Sequence, residues 1–134
     1  MGSGAETGVG HRQLRVWQEA MALAEVVYAL TRRLPRDEIY GLTSQMNRAA
    51  VSIPSNIAEG YGRGGRDYER FAAMAYGSVS ELETQAELAE RLGLAPAEAV
   101  AQVMSRTAVV GRMLNALRRG LRRQRTANAA DSSG

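Results

Sequence analysis

The sequence predicts an all-α fold, an antiparallel four-helix bundle, and three observations point to it. The chain has 134 residues, the length of a single domain that buries roughly 65 to 70% of its unfolded surface around one core. Hydrophobic residues make up 45% of it, yet only seven residues are aromatic, a composition that favours closely packed helices over sheets. Four separate segments carry apolar residues at helical spacing, and we expect each to form an amphipathic helix.

The first helix is predicted from about Arg12 to Arg33 and carries two neighbouring apolar stripes. One stripe consists of Leu14, Trp17, Met21, Ala24 and Tyr28, and the other of Val16, Ala20, Leu23, Val27 and Leu30. Because the combined apolar surface is wide, we expect contacts on two sides of this helix. The Gly-Ser-rich residues 1–11 before it are expected to be a disordered arm or a remnant of an expression vector.

A breaker at Pro35 and a potential N-cap at Asp37 predict that the second helix begins there. Its apolar stripe consists of Leu42, Met46, Ala49, Ala50, Ile53 and Ile57. Pro54 lacks an amide donor, so we expect a kink between Ala50 and Pro54. The polar residues around the proline are expected to bond the backbone groups that it frees, and we prefer this interpretation of the SIPSN cluster to a catalytic one. These residues are Ser52, Ser55 and Asn56.

A Gly-rich joint at residues 60–65 precedes the third helix, which Asp67 is expected to cap. Gly93 is a predicted C-terminal stop, and Pro96 is predicted in the first turn of the fourth helix. The third helix presents a face of mostly small residues, namely Phe71, Ala75, Ser78, Val79, Leu82, Ala86 and Ala89. The fourth follows through Val100, Val103, Met104, Val110, Met113, Leu114, Leu117 and Leu121. Short joints force antiparallel neighbours, so residues 12–122 should form an up-down-up-down bundle, with residues 123–134 as a disordered basic-to-polar tail.

The segment EIYGLTSQMNRAAVSIPSNIAEGYGR, residues 38–63, combines an apolar helical stripe with many uncharged polar residues and an internal proline. It resembles the signature segment of the 23S rRNA intervening-sequence proteins, a family of small four-helix bundles. The resemblance covers most of the chain and extends to VWQEAMALAEVVYAL (16–30), RFAAMAYGSVSELETQAELAERLGL (70–94) and RMLNALRRGL (112–121). It implies a homopentamer. The fold is also similar to that of the accessory proteins of diversity-generating retroelements, which bind a reverse transcriptase and its RNA.

Polar residues embedded in the second and third helices are predicted to form a structural or interface network. Their helical spacing places each set on one face. A half-buried Arg48 would need a carboxylate to offset its desolvation, and Glu59 or Glu81 could supply it. We rank this interpretation above a functional site. The network consists of Gln45, Arg48, Ser52, Pro54, Asn56, Glu59 and Glu81, with Ser78 and Gln85 beside it.

The basic charge is concentrated near the C-terminus. Residues 1–100 hold 10 arginines and 13 acidic residues, a net charge of −3, whereas residues 101–134 hold 7 arginines and one acidic residue, a net charge of +6. Guanidinium groups match phosphate geometry, so this segment predicts salt-sensitive, sequence-independent nucleic-acid binding. The candidate binding residues are Arg112, Arg118, Arg119, Arg122, Arg123 and Arg125. Arg63 and Arg66 in the Gly-rich joint are candidates for the same surface. The alternative is a basic tail that neutralises the acidic body.

Several kinds of catalysis lack the residues that they need. His11 is the single histidine, so neither a Ser-His-Asp triad nor a Glu-x-x-His di-iron site is expected. All 17 basic residues are arginine, which excludes a Walker A lysine and a Schiff base. Pairs of glutamates on helices are more typical of a solvated face than of acid-base or Mg²⁺ chemistry. We therefore expect no catalytic residue, no metal site and no cofactor.

The predicted function is that of a non-enzymatic, oligomeric helical bundle that binds RNA or DNA through its C-terminal arginines. The resemblance to retroelement accessory proteins adds a reverse transcriptase as a potential protein partner. The alternative is a protein-interaction scaffold without nucleic-acid binding. No apolar run approaches the ~20 residues of a membrane span, so we expect no membrane partner and a cytoplasmic location.

Overall fold

Four α-helices account for most of residues 10–133, the part of the chain that the computed structural model describes. They are α1 (Arg15–Thr31), α2 (Leu42–Arg63), α3 (Gly65–Arg91) and α4 (Ala97–Ser133). Short 3-10 turns, Gly10–Gln13 and Arg36–Glu38, precede α1 and α2, and this part of the chain contains no strand. The predicted all-α fold is confirmed. Most of the predicted N-terminal arm, residues 1–9, lies outside the described residues.

Each helix packs beside the next one in the chain, and α4 returns to pack against α1. This is the arrangement of an up-down-up-down bundle. The most extensive packing joins α2 to α3 and α3 to α4. None of the helices within residues 10–133 has the length and apolar character needed to cross a bilayer.

Aliphatic side chains from all four helices fill the core. In α1 the stripe that begins at Val16 and ends at Leu30 is buried, whereas Met21 and Tyr28 of the neighbouring stripe remain 39% exposed. The expectation that both stripes are covered is therefore only partly met within one chain. The largest fully buried aliphatic side chains are Leu23, Val27, Met46, Ile53, Ile57, Leu82, Val100, Val103, Val110 and Leu114.

The start of α2 differs from the prediction. The helix begins at Leu42, whose backbone amide donates a hydrogen bond to Glu38 Oε1 at 3.2 Å. Asp37 lies in the preceding 3-10 turn and is exposed. An N-cap must directly precede the first helical turn, and Asp37 is too far upstream, so the predicted cap at Asp37 was wrong.

The reversal between α2 and α3 is shorter than the predicted Gly-rich joint. α2 continues through Gly60 to Arg63, and the chain turns at Gly64, whose φ of +72° favours glycine. A β-carbon added to Gly60 would lie 2.8 Å from Phe71 Cβ, so Gly60 permits close helix packing. Asp67 lies in the first turn of α3, where Gly64 is the N-cap, and its predicted capping role was also wrong.

Pro54 is buried, and α2 is helical on both sides of it. The hydroxyl of Ser52 donates to the carbonyl of Ala49 at 3.1 Å, and Asn56 Nδ2 donates to the carbonyl of Ser52 at 2.8 Å. These bonds reach carbonyls near the proline and not that of Ala50, which loses its partner when residue 54 has no amide hydrogen. The polar side chains therefore bond carbonyls next to the proline, as predicted, but not the carbonyl that the proline leaves without a partner.

The end of α3 follows the prediction. Gly93 has a φ of +71°, and the amide of Leu94 donates to the carbonyl of Ala89 at 2.9 Å, which is a glycine-based helix stop. Pro96 directly precedes α4, and its carbonyl accepts a hydrogen bond from the amide of Val100 at 3.1 Å.

Residues 123–133 of the predicted disordered tail instead belong to α4, which continues to Ser133, and Gly134 lies outside the described residues. Arginine, glutamine and alanine, which are strong helix formers, make up most of residues 122–130. This segment also runs along the first turns of α3, where Arg125 pairs with Glu69. Local helix propensity and this contact together explain why the chain stays helical beyond the bundle core.

Candidate nucleic-acid interface

The basic residues of α3 and α4 meet in a groove where the first turns of α3 run beside the last turns of α4. Arg118, Arg122 and Arg125 share one face of α4 through spacings of four and three residues, and Arg66 and Arg70 are four apart on α3. The groove has a volume of about 430 Å³. We call it the basic groove; it is lined by Arg66, Glu69, Arg70, Ala73, Arg118, Arg122 and Arg125.

Contacts with neighbouring side chains position the arginines of the basic groove. Arg125 Nε donates to Glu69 Oε2 at 2.6 Å. The guanidinium carbon of Arg118 lies 5.2 Å from the centre of the Tyr76 ring, a distance that allows cation-π attraction. Arg70 lies 4.7 Å from the Phe71 ring centre in the same way. Arg122 is exposed and lines the groove without a described ion pair. Three of the five arginines are thus oriented by the protein while their side chains remain at least partly exposed.

The other predicted binding residues of α4 lie outside the basic groove. Arg119 and Arg123 line the adjacent outer face of α4, which Arg122 shares. Arg112 is exposed about two turns earlier and lines a separate depression beside Glu83. The six candidate arginines therefore divide into three in the groove, two beside it and one apart from it.

Arg63 and Arg66, the two candidates from the Gly-rich joint, have different surroundings. Arg63 Nε donates to Glu59 Oε2 at 2.8 Å, and Arg63 Nη1 lies 3.4 Å from Asp67 Oδ2. Its hydrogen bond to Glu59 is the main reason that the pKa of Arg63 is raised, and Asp67 adds to the rise. The charge of Arg63 is thus already balanced. Arg66 instead lines the basic groove.

Two charged residues of the groove, Glu69 and Arg70, were missed by sequence reasoning. Arg70 also approaches Asp67, with Arg70 Nη2 3.3 Å from Asp67 Oδ1. The signal available in the sequence was the Arg66 to Arg70 spacing, which puts both side chains on one face of α3. That face could be matched to α4 only after the antiparallel pairing of the two helices was known.

The predicted polar network forms a second groove, of about 870 Å³, between α2 and α3. The hydroxyls of Ser52 and Ser78 are hydrogen-bonded across it, and because Ser52 donates to Ala49, Ser78 is the donor of this bond. Gln85 Oε1 is buried and accepts no hydrogen bond within residues 10–133. We call this the polar groove; its polar lining residues are Tyr40, Ser44, Gln45, Arg48, Ser52, Asn56, Ser78, Glu81 and Gln85.

Three expectations about this network need correction. Arg48 is exposed, not half-buried, and forms no ion pair with a described residue. Glu59 pairs with Arg63 and does not line the polar groove. Pro54 is buried and does not line the polar groove. The distance from Arg48 to Glu59 along α2 is eleven residues, about 16 Å of helix rise, which explains why these two do not meet.

The remaining polar residues do not form a further candidate site. His11 packs edge-on against Trp17, with 5.0 Å between the ring centres. Across the described part of the chain, no three acidic or histidine side chains are grouped to hold a metal ion. The basic groove and the polar groove are therefore the two candidate sites.

Comparison with known proteins identifies a family for this chain. No curated protein matches the sequence significantly. A family model described as 23S rRNA-intervening sequence protein matches residues 12–116, which span α1 to α3 and more than half of α4. The match includes the polar groove and the α3 side of the basic groove, and it ends before Arg118. Because it covers most of the chain, the protein belongs to the 23S rRNA-intervening sequence protein family.

Proposed function

We propose that this protein is a non-enzymatic, phosphate-recognising module that binds RNA or DNA in the basic groove. The observation that carries the proposal is the convergence of five arginines from two helices around a single glutamate. Guanidinium groups donate two parallel hydrogen bonds to phosphate oxygens, so such a cluster suits a polyanion better than an isolated basic tail does.

The form of the groove favours binding without sequence readout. Three of its five arginines, Arg70, Arg118 and Arg125, are positioned by an ion pair or an aromatic ring of the protein itself. Contacts of this kind fix the position of a nucleic-acid backbone and carry no base information. The family description, which refers to a 23S rRNA intervening sequence, makes structured RNA the first ligand to test.

The test is fluorescence anisotropy of a labelled structured RNA and a labelled DNA duplex over a salt series, with the protein mass measured on the same sample. Each phosphate neutralised on duplex DNA changes the slope of log K against log salt by about −0.9. Engagement of most of the groove therefore requires a slope of about −4 or steeper. Absence of binding at low salt would refute the proposal and favour a protein-interaction scaffold.

We also propose that the polar groove is the contact between copies in a homopentamer, the assembly that the family resemblance implies. Two observations support it: among residues 10–133, Arg48 has no ionic partner and the buried Gln85 Oε1 has no hydrogen-bond donor. Buried polar atoms normally have hydrogen-bond partners, and a second copy could supply them. A monomeric mass at micromolar concentration would refute the assembly.

Association with a reverse transcriptase is a narrower hypothesis about the partner. It rests on the resemblance in architecture to retroelement accessory proteins. Co-expression with any reverse transcriptase encoded beside this gene, followed by co-purification in nuclease-treated lysate, tests a direct protein contact. Loss of the enzyme on nuclease treatment would refute that contact and leave RNA as the bridge.

A further inference from the structure

Glu69 is the acidic residue that lines the basic groove. Its side chain is 24% exposed, and its Oε2 accepts a hydrogen bond from Arg125 Nε at 2.6 Å. The two residues are 56 positions apart, so the pair joins the start of α3 to the end of α4. Other acidic residues of this region, Glu59 and Asp67, pair within or between adjacent turns and do not line the groove.

A carboxylate and a phosphate present the same chemistry to an arginine. Both offer anionic oxygens that accept charge-assisted hydrogen bonds from a guanidinium group. Nε of Arg125 carries one N–H, and the Glu69 carboxylate already uses it. A phosphate in the groove would meet an occupied donor on Arg125 and, beside it, a negative charge that repels it.

We infer that Glu69 is a built-in competitor for phosphate, which holds the nucleic-acid affinity of the basic groove below what its arginines would otherwise give. This inference rests on the proposed function. Binding of phosphate through the Nε–H of Arg125 requires this group to exchange Glu69 for a phosphate oxygen. The exchange also breaks the ion pair that ties Arg125 to α3.

The test compares two glutamate-to-glutamine variants with the same change in net charge. Glu69→Gln removes the competing charge. Glu87→Gln removes the partner of Arg91 on the same helix, where Arg91 Nη2 lies 2.8 Å from Glu87 Oε2 outside the groove. With a labelled RNA hairpin at fixed salt, we expect Glu69→Gln to bind about threefold to tenfold more tightly, the effect of removing one screened unit charge beside a phosphate. Glu87→Gln should stay within about twofold of wild type, as expected for an exposed charge far from the ligand.

A second comparison isolates Arg125. Arg125→Gln should weaken binding more in the Glu69→Gln background than in wild type, because neutralising Glu69 weakens its hold on the Arg125 Nε–H and removes the negative charge that opposes phosphate there. Equal effects in the two backgrounds would overturn the competition. Circular dichroism establishes that each variant is folded.

The outcomes separate this inference from the proposed function. If wild type binds but Glu69→Gln binds equally or more weakly, Glu69 only orients Arg125 and the inference fails alone. Equal tightening by Glu69→Gln and Glu87→Gln would reduce the effect to net charge and also overturn it. If neither wild type nor the variants bind at low salt, the proposed function fails and the inference falls with it.

Discussion

Gly60 of α2 lies so close to Phe71 of α3 that a β-carbon at position 60 would stand 2.8 Å from Phe71 Cβ. The same β-carbon would be 3.1 Å from the Tyr68 ring. Glycine at this position therefore lets the ends of α2 and α3 approach next to the reversal at Gly64. This close contact sets where α3 begins beside α2. It therefore also sets where Arg66 and Arg70 lie along the basic groove.

We expect Gly60→Ala to lower the free energy of unfolding by about 1 to 3 kcal/mol, since overpacking forces neighbouring backbone to shift. Gly120→Ala is the matched control, because Gly120 also lies inside a helix but its added β-carbon would meet nothing within 4 Å. That control should be neutral or stabilise the protein by up to about 1 kcal/mol. Urea unfolding measures both, and equal stabilisation by the two substitutions would contradict the close approach.

Nucleic-acid binding is expected to depend on the arginines of the basic groove and not on the net charge of the protein. The double variant Arg118→Gln/Arg122→Gln should weaken nucleic-acid binding at least tenfold and reduce the steepness of the salt slope on duplex DNA by about 2. Arg32→Gln/Arg36→Gln carries the same change in net charge at the opposite end of the bundle and should bind nearly as wild type. Parallel anisotropy titrations of both variants decide the matter; equal losses would point to diffuse electrostatics and not to the groove.

Substitution of Arg48 is expected to affect the assembly of the protein more than the folding of a single chain. Within one chain it is exposed and unpaired among the described residues, so Arg48→Met should barely change the stability of a monomer. In the proposed oligomer it lies at a contact, where truncating a paired charge costs about 2 kcal/mol or more. We therefore expect a smaller mass by light scattering and a lower melting temperature. Arg91→Met, at an exposed pair with Glu87, is the control; an unchanged mass for Arg48→Met would exclude Arg48 from the interface.

Tyr68 is expected to make the stability of the bundle fall at alkaline pH. Burial raises the pKa of Tyr68 above its usual value of 10.0, and the neighbouring Tyr61 adds to the rise. The folded state thus holds this proton more tightly than the unfolded chain does. Its contribution to stability is complete below pH 10.0 and is lost as the pH rises toward the higher folded pKa. Tyr68→Phe should therefore lose less stability than wild type between about pH 9 and pH 11.

Denaturant unfolding across this pH range measures the effect. Tyr40 is 94% exposed, so Tyr40→Phe should retain the alkaline loss seen in wild type. An identical loss in Tyr68→Phe and wild type would contradict the role given to Tyr68.

The helices were predictable because their signal is local. Apolar positions such as Leu82 and Ala86 repeat at the helical period, and Gly93 and Pro96 mark a stop and a start by their own backbone chemistry. The caps were not predictable in the same way. Whether Asp37 caps a helix depends on where the first turn forms, and a 3-10 turn shifted that point to Leu42.

The α4 side of the candidate site could be predicted from the sequence, whereas most of its α3 side could not. The arginines of α4 stand out by local charge alone, but the sequence did not separate Arg112, Arg119 and Arg123 from the three that line the groove. Glu69 and Arg70 joined them only because α3 runs antiparallel to α4. Such non-local pairing leaves no trace in the spacing of either segment, since each reads as an ordinary amphipathic helix by itself.

The absence of lysine from the chain has a consequence for how binding can be controlled. An arginine keeps its charge at any physiological pH, and it has no ε-amino group to be acetylated. A cell could therefore not weaken this groove by the enzymes that neutralise lysine-rich surfaces, nor by acidifying or alkalising its surroundings. Ionic strength and competing anions would still weaken binding, so the occupancy of the groove would follow the salt and polyanion content of the medium around it.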